Sequence, residues 1–164
     1  MDPHDEVADA DYRALAEFRH QIRRFLRFSE QAAREAGLEP QQHQALLALK
    51  GLPPGRPPTV RELAERLQIQ HHSAVELVDR LVERGLLCRA RHEQDRRQVL
   101  LRLTPSGEAL LRDLSRHHRA ELHAAGPALA RALEAVLAGE PPARATQTPA
   151  SAKDRSGCHP HDPH

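Results

Sequence analysis

A mainly α-helical fold carrying one small β-hairpin is what this sequence predicts, and three observations carry that prediction. Apolar residues recur at helical spacing over most of the first 138 residues. The period falls to two only around residues 87–103, where Val99, Leu101 and Leu103 alternate with Leu100 and Arg102. Turn chemistry sits at the ends of the periodic stretches, in Gly37, the Pro/Gly run 51–58, Gly85 and Thr104-Pro105.

From Tyr12 to Ala36, Leu15, Phe18, Ile22, Phe25, Leu26, Ala32, Ala33 and Ala36 lie on one helical face. Such a helix is about 37 Å long, more than a small globule covers, so a partner surface is implied. Gly37 ends it. Pro40 opens a second helix through Lys50, with Ala45, Leu46 and Leu49 inward. Thr59-Val60-Arg61-Glu62 has the form of a capping box and starts a short helix to about Leu67. After a turn at Gln68-Ile69-Gln70, Val75, Val78, Leu81 and Val82 mark the inner face of another helix, which Gly85 stops with Leu86 folding back onto its end. Helix, short turn, helix is the helix-turn-helix order.

Residues 87–91 and 99–103 then form the arms of a hairpin around His92 to Arg97, with Val99, Leu101 and Leu103 alternating against Leu100 and Arg102. Thr104 caps a helix that begins at Pro105, carries Leu110, Leu111, Leu114, His118 and Leu122, and breaks at Gly126-Pro127. A last helix uses Leu129, Leu133, Val136 and Leu137. A hairpin following a helix-turn-helix is a wing, so the class is a winged helix-turn-helix with flanking helices. Residues 1–11 read as a flexible N-terminus, 12–139 as the folded domain, and the Pro-, Ser- and Thr-rich stretch 140–164 as a disordered tail.

The chain has 164 residues, 39% of them apolar, enough for one core and not two. With no Trp, one Tyr and three Phe it lacks the flat faces of an aromatic-lined substrate cleft or a base-stacking single-strand binder. Net charge is only +1, but between Arg84 and Arg102 six arginines (84, 89, 91, 96, 97, 102) face two acids, Glu93 and Asp95. That is an electrostatic footprint for phosphate. The acidic start Met1-Asp2-Pro3-His4-Asp5-Glu6 has no apolar signal region, and no apolar run is long enough to span a bilayer, which predicts a cytoplasmic protein without membrane contact. No nucleophile elbow, phosphate-cradling Gly-rich loop or zinc-hydrolase His pair is present, so neither catalysis nor a cofactor is expected.

With these elements placed, the chain resembles the MarR (multiple antibiotic resistance regulator) family of bacterial transcription regulators over about residues 12–138. The motifs that carry the resemblance are Val78-Asp79-Arg80-Leu81 with Gly85-Leu86, Asp95-Arg96-Arg97, and Leu103-Thr104-Pro105-Ser106-Gly107. It implies a homodimer built from the first helix and the last two (about 12–36 and 105–138), and a DNA-binding lobe over about 40–104. It also implies a pseudo-palindromic duplex operator, repression, and a small-molecule effector bound between the lobes. Arg97 falls on the wing-tip minor-groove arginine, Asp95 on the acid that fixes the wing, and Arg80 on a recognition-helix arginine. His71, His72 and Ser73 fall on the polar start of that helix, and Gln70, Arg91 and Arg96 complete the expected DNA-binding set. Where many relatives have Thr-Arg, this chain has Val75-Glu76. Glu76 reads either as an acceptor from cytosine N4 or as part of a local cap with Ser73.

Tyr12, Phe18, Phe28 and His43 are the candidate effector-pocket residues, with core packing as the alternative. His117 or His118 with His20, His43 or Asp113 is a candidate zinc or copper set, against ordinary buried or surface histidines. Cys88 reads as a small buried hydrophobe rather than a redox switch, and Cys158 with His159, His161 and His164 as a weak metal binder. Two other functional readings remain: a winged-helix module that binds protein, suggested by five acids against three arginines from Arg61 to Glu83, and a metal- or redox-responsive regulator.

Overall fold

The computed structural model describes residues 7–91 and 98–138. Helices α1 (Asp9–Glu35), α2 (Pro40–Lys50), α3 (Val60–Leu67) and α4 (His71–Glu83) are followed by β1 (Leu87–Arg91), β2 (Val99–Leu103) and α5 (Pro105–Ala138). The strands pair antiparallel with Leu87 opposite Leu103 and Arg91 opposite Val99. Leu38, Leu46, Leu63, Leu81, Leu87 and Leu101 are the largest fully buried side chains, and α2, α3, α4 and the hairpin close around them. α1 and α5 pack along each other beside this lobe.

Several boundaries differ from the sequence reading, each for a local reason. α1 begins at Asp9, three residues early: the Asp11 carboxylate accepts from the Ala8 N–H at 3.1 Å, and acids in a first turn suit the helix dipole. At α3 the Thr59 hydroxyl accepts from the Glu62 N–H at 3.2 Å as expected. The Glu62 carboxylate, however, is spent on Arg56 at 3.1 Å and Arg66 at 3.5 Å. The inner face of α4 is Ala74, Leu77, Val78 and Leu81; Val75 and Val82 are only half-buried. In β2 both Leu100 and Leu101 are buried, so the strand is covered on both faces at that level and the expected alternation is lost.

The largest correction concerns the end of the domain. Gly126-Pro127 does not break the chain into two helices; α5 is one helix of 34 residues with Pro127 inside it. Gly126 presents no Cβ to the proline ring, which removes part of the clash that normally stops a helix before proline. Proline still leaves the carbonyl of residue 123 without its helical donor, but that residue is exposed, and water reaches it.

α4 ends in a two-bond cap: Leu86 N–H donates to Leu81 O and Gly85 N–H to Val82 O, both at 2.9 Å, with Gly85 at φ 67°. The start of α5 is built onto that cap. The Thr104 N–H donates to Leu86 O at 3.1 Å, its hydroxyl donates to Gly85 O at 2.6 Å, and the same oxygen accepts from the Gly107 N–H at 3.1 Å. A Cβ on Gly107 would stand 2.2 Å from the Leu86 carbonyl oxygen. Since the obstacle is backbone rather than the end of a flexible side chain, we expect Gly107→Ala to cost about 2 kcal/mol or more. The urea midpoint of the purified variant measures it, and an unchanged midpoint would refute the close packing.

Candidate nucleic-acid interface

With Ala74, Leu77, Val78 and Leu81 inward, a turn of about 100° per residue puts His72, Glu76, Asp79 and Glu83 on the far side of α4, with Arg80 at one flank. His71, His72, Glu76 and Arg80 are exposed, while Ser73 and Asp79 are half-buried. Gln70 is the N-cap and makes no side-chain cap bond, so the first-turn N–H groups are free of side-chain partners and point toward solvent or an anion. Ser73 lies inside the helix, so it is not the cap of a Ser73–Glu76 box.

The outward acids are matched with arginines. Asp79 pairs with Arg89 of β1, which ties α4 to the base of the hairpin. Arg80 Nε donates to the Glu76 carbonyl oxygen at 3.3 Å, and its Nη2 lies 3.6 Å from the Glu76 carboxylate. The arginine patch read from residues 84–102 is therefore smaller than expected. Arg84, although exposed, is spent on Gln42 Oε1 and Gly37 O, to which it donates at 2.7 Å in both cases, and Arg89 is committed to Asp79. Arg91 and Arg102 are exposed on the hairpin. Asp95, Arg96 and Arg97 lie outside the described residues, as do Cys158 and the tail histidines. Asp79 and Arg84 escaped the sequence reading as structural partners because neither contact is at helical spacing.

Of the four residues proposed to line an effector pocket, Tyr12 is 61% exposed on the outer part of α1, and Phe18 is half-buried. Phe28 and His43 meet at the junction of α1, α2 and α5. There the His43 ring stacks on His118, centroids 4.7 Å apart and 8° from parallel, and Phe25 and Phe28 approach His118 edge-on. His118 is fixed by Nδ1 at 2.6 Å from Leu114 O and Nε2 at 2.8 Å from Ser29 Oγ, an arrangement that fits a proton on Nδ1 and a bond accepted from the serine. Burial, and secondarily His118, lower the pKa of His43 to about 4. A separate open cleft of about 400 Å³ is lined by Glu30, Arg34, Glu39, Pro40, Gln41, Gln42, Leu77 and Arg80, and by none of the four predicted residues. Among the described residues no three His, Cys, Asp or Glu side chains gather as a metal site. No described helix is long and apolar enough to cross a membrane.

Cys88 is exposed, which overturns the reading of a small buried hydrophobe. It faces away from Leu87 in the strand, on the side opposite the core.

Residues 36–98 match the model of the MarR family. No curated protein sequence matches the chain. Among solved structures, AbsC, a MarR family transcriptional regulator from Streptomyces coelicolor, is similar at 21% identity and a TM-score of 0.61, covering 73% of this chain and 80% of that one. A single-residue mutant of S. aureus MepR, solved bound to an oligodeoxyribonucleotide, is similar at 22% identity and a TM-score of 0.56, covering 73% and 82%. Staphylococcus aureus MarR in complex with salicylate and kanamycin matches at 23% identity and 0.53, covering 63% and 67%. At these identities the likenesses concern the fold.

Two measurements follow from the side chains above. The folded chain holds His43 neutral down to about pH 4, whereas an unfolded histidine titrates near 6.5. Unfolding therefore takes up a proton in between, so this contribution to stability is intact above about pH 6.5 and is lost as pH falls toward 4, by on the order of 3 kcal/mol at most. Melting curves from pH 7.5 to 4.5 should show a weaker acid destabilisation in His43→Phe, which keeps a ring against His118; parallel curves for the two proteins would refute it. In a Cys158→Ser background, Cys88 should react with a thiol reagent in native protein within about tenfold of the rate in urea. Strong protection would restore the buried reading.

Proposed function

We propose that this chain, which matches the MarR family model over residues 36–98, is a DNA-binding winged-helix transcription regulator, and that it acts as a homodimeric repressor of a pseudo-palindromic operator and is released by a small molecule. The observation that carries this reading is the uncapped start of α4. Exposed His71 and His72 stand there beside free N–H groups, and the hairpin that bears Arg91 is locked to the same helix through Arg89 and Asp79. Helix N-termini and arginines grip phosphate, and side chains one or two turns further in reach base edges. Gln70, His71, His72, Ser73, Glu76 and Arg80 form the major-groove set, and Arg91, Asp95, Arg96 and Arg97 the wing set, with Arg97 in the minor groove.

Dimerisation is supported by apolar side chains left open on the paired helices: Tyr12, Leu15 and Leu26 on α1, and Leu122, Leu133 and Leu137 on α5. Burying such a face against a second copy sets the two α4 helices one operator turn apart, roughly 34 Å. For the effector we favour the aromatic junction of Phe28, His43 and His118; Tyr12 and Phe18 lie about four and three turns away along α1 and fall outside it. The complex of S. aureus MarR with salicylate and kanamycin supports the idea that this fold answers small molecules. A ligand there would bias the angle between helices and lobe, and a duplex accepts only one spacing.

A salt titration of binding between the full chain and duplex DNA from its own upstream region tests the reading. Affinity should fall linearly on logarithmic axes as salt rises, with two chains per site. Arg97→Ala should weaken binding to most sequences and reduce the salt slope by about one. No salt-dependent retention would favour a protein-binding module instead.

A further inference from the structure

We infer that Glu76 is a positioning residue for Arg80, holding its guanidinium so that the outward edge reads a guanine in the major groove. The inference rests on the DNA-binding reading above. Its starting point is a difficulty: a carboxylate on the far side of a recognition helix faces the phosphate-lined groove, where an unpaired negative charge is repelled. Glu76 is not unpaired. The Arg80 guanidinium lies along it, with Nε on its carbonyl oxygen at 3.3 Å and Nη2 3.6 Å from its carboxylate.

Among the described residues Glu76 is the acid paired with Arg80; Glu83, one turn further on the same side of α4, forms no ion pair with it. Asp79, the adjacent acid on the same face, is held by Arg89. Glu30, which lines the cleft beside Arg80, is held by Arg34 at 3.3 Å. His72, one turn before Glu76, stands exposed on the same stripe and adds no negative charge. The other acid lining that cleft is Glu39, at the start of α2, and among the described residues no ion pair joins it to Arg80.

What the pair can do follows from counting donors. A guanidinium has five N–H groups. The Nε hydrogen and one on Nη2 form the edge turned back toward Glu76, and the second Nη1 hydrogen lies on the side of the arginine's own stem. One hydrogen of Nη1 and one of Nη2 remain as the outer edge, the pair that meets guanine O6 and N7 in the commonest specific protein–DNA contact. The backbone bond and the carboxylate together fix the plane in which that edge lies. A flexible, exposed Arg80 without them would reach phosphate or base with little preference. As an exposed pair at helical spacing it adds little to folding, so removing it leaves the domain intact. The departure from the family at Val75-Glu76 thus shifts the reading group one turn along the helix, to Arg80.

Selection from a randomised duplex library by the full-length protein provides the test, with Arg80→Ala, Glu76→Ala, Glu76→Gln and the double variant compared. Arg80→Ala should erase preference at one G·C pair in each half-site. Glu76→Ala should lower discrimination at that same pair about tenfold, while binding to unselected DNA becomes tighter because a negative charge facing phosphate is gone. Glu76→Gln, which keeps an acceptor oxygen, should restore part of the preference. At that pair the double variant should be no worse than Arg80→Ala. A loss of preference at a different base pair in Glu76→Ala would mean that Glu76 reads a base itself and would overturn the inference, as would unchanged preference everywhere. Absence of salt-dependent binding by the unaltered protein would instead remove the DNA-binding reading beneath it.

Discussion

The backbone contact between Leu86 and Gly107 is the constraint on which the rest of the arrangement depends. Leu86, whose N–H closes the cap of α4, receives the Thr104 N–H on its own carbonyl oxygen, and Gly107 sits against that oxygen with no space for a side chain. Three bonds at Thr104 and one close packing therefore lock the end of α4, the return strand β2 and the start of α5 into one corner. Two sequence motifs that look independent, Gly85-Leu86 and Leu103-Thr104-Pro105-Ser106-Gly107, are the two sides of that single contact.

Charge on the outer side of α4 and the hairpin is organised by pairing rather than by excess. Counting arginines between residues 84 and 102 overstates the positive surface, because Arg84 and Arg89 serve internal contacts. Those contacts matter in a different way. Arg84 fastens the end of α4 to Gly37 and Gln42 at the α1–α2 turn, and Arg89 fastens its outer face to the hairpin. α4 is thus braced by arginine at its end and on its outer face and does not rely on core packing alone.

Much of this was legible in the residues because the signals were local. Thr59, Pro40, Gly85 and Thr104 each act on the turn they occupy, so helix starts and stops at those positions agree with the structure. Gly126-Pro127 misled because its ordinary meaning depends on the residue before proline having a Cβ, and here it has none. Cys88 was misread because two leucines precede it, although only alternate residues of a strand face the core. The inner face of α4 was displaced by a preference for β-branched residues over Ala74 and Leu77. Within the site, exposure of His71, His72 and Arg80 follows from periodicity, whereas Asp79–Arg89 and His43–His118 join residues from different elements and needed the fold to bring them together.

That α5 is unbroken changes how motion can travel through the molecule. A helix of 34 residues is about 50 Å long, and it is clamped at one end to the corner that also holds α4 and the wing. Such a rod works as a pointer: a tilt of about 5° at the clamped end sweeps the other end by roughly 4 Å. Conversely, a displacement of several ångströms among the apolar side chains near Leu137 reaches the corner as a turn of only a few degrees. Gearing of this kind trades distance for angle, and it is the angle of the corner that holds α4 and the hairpin that changes.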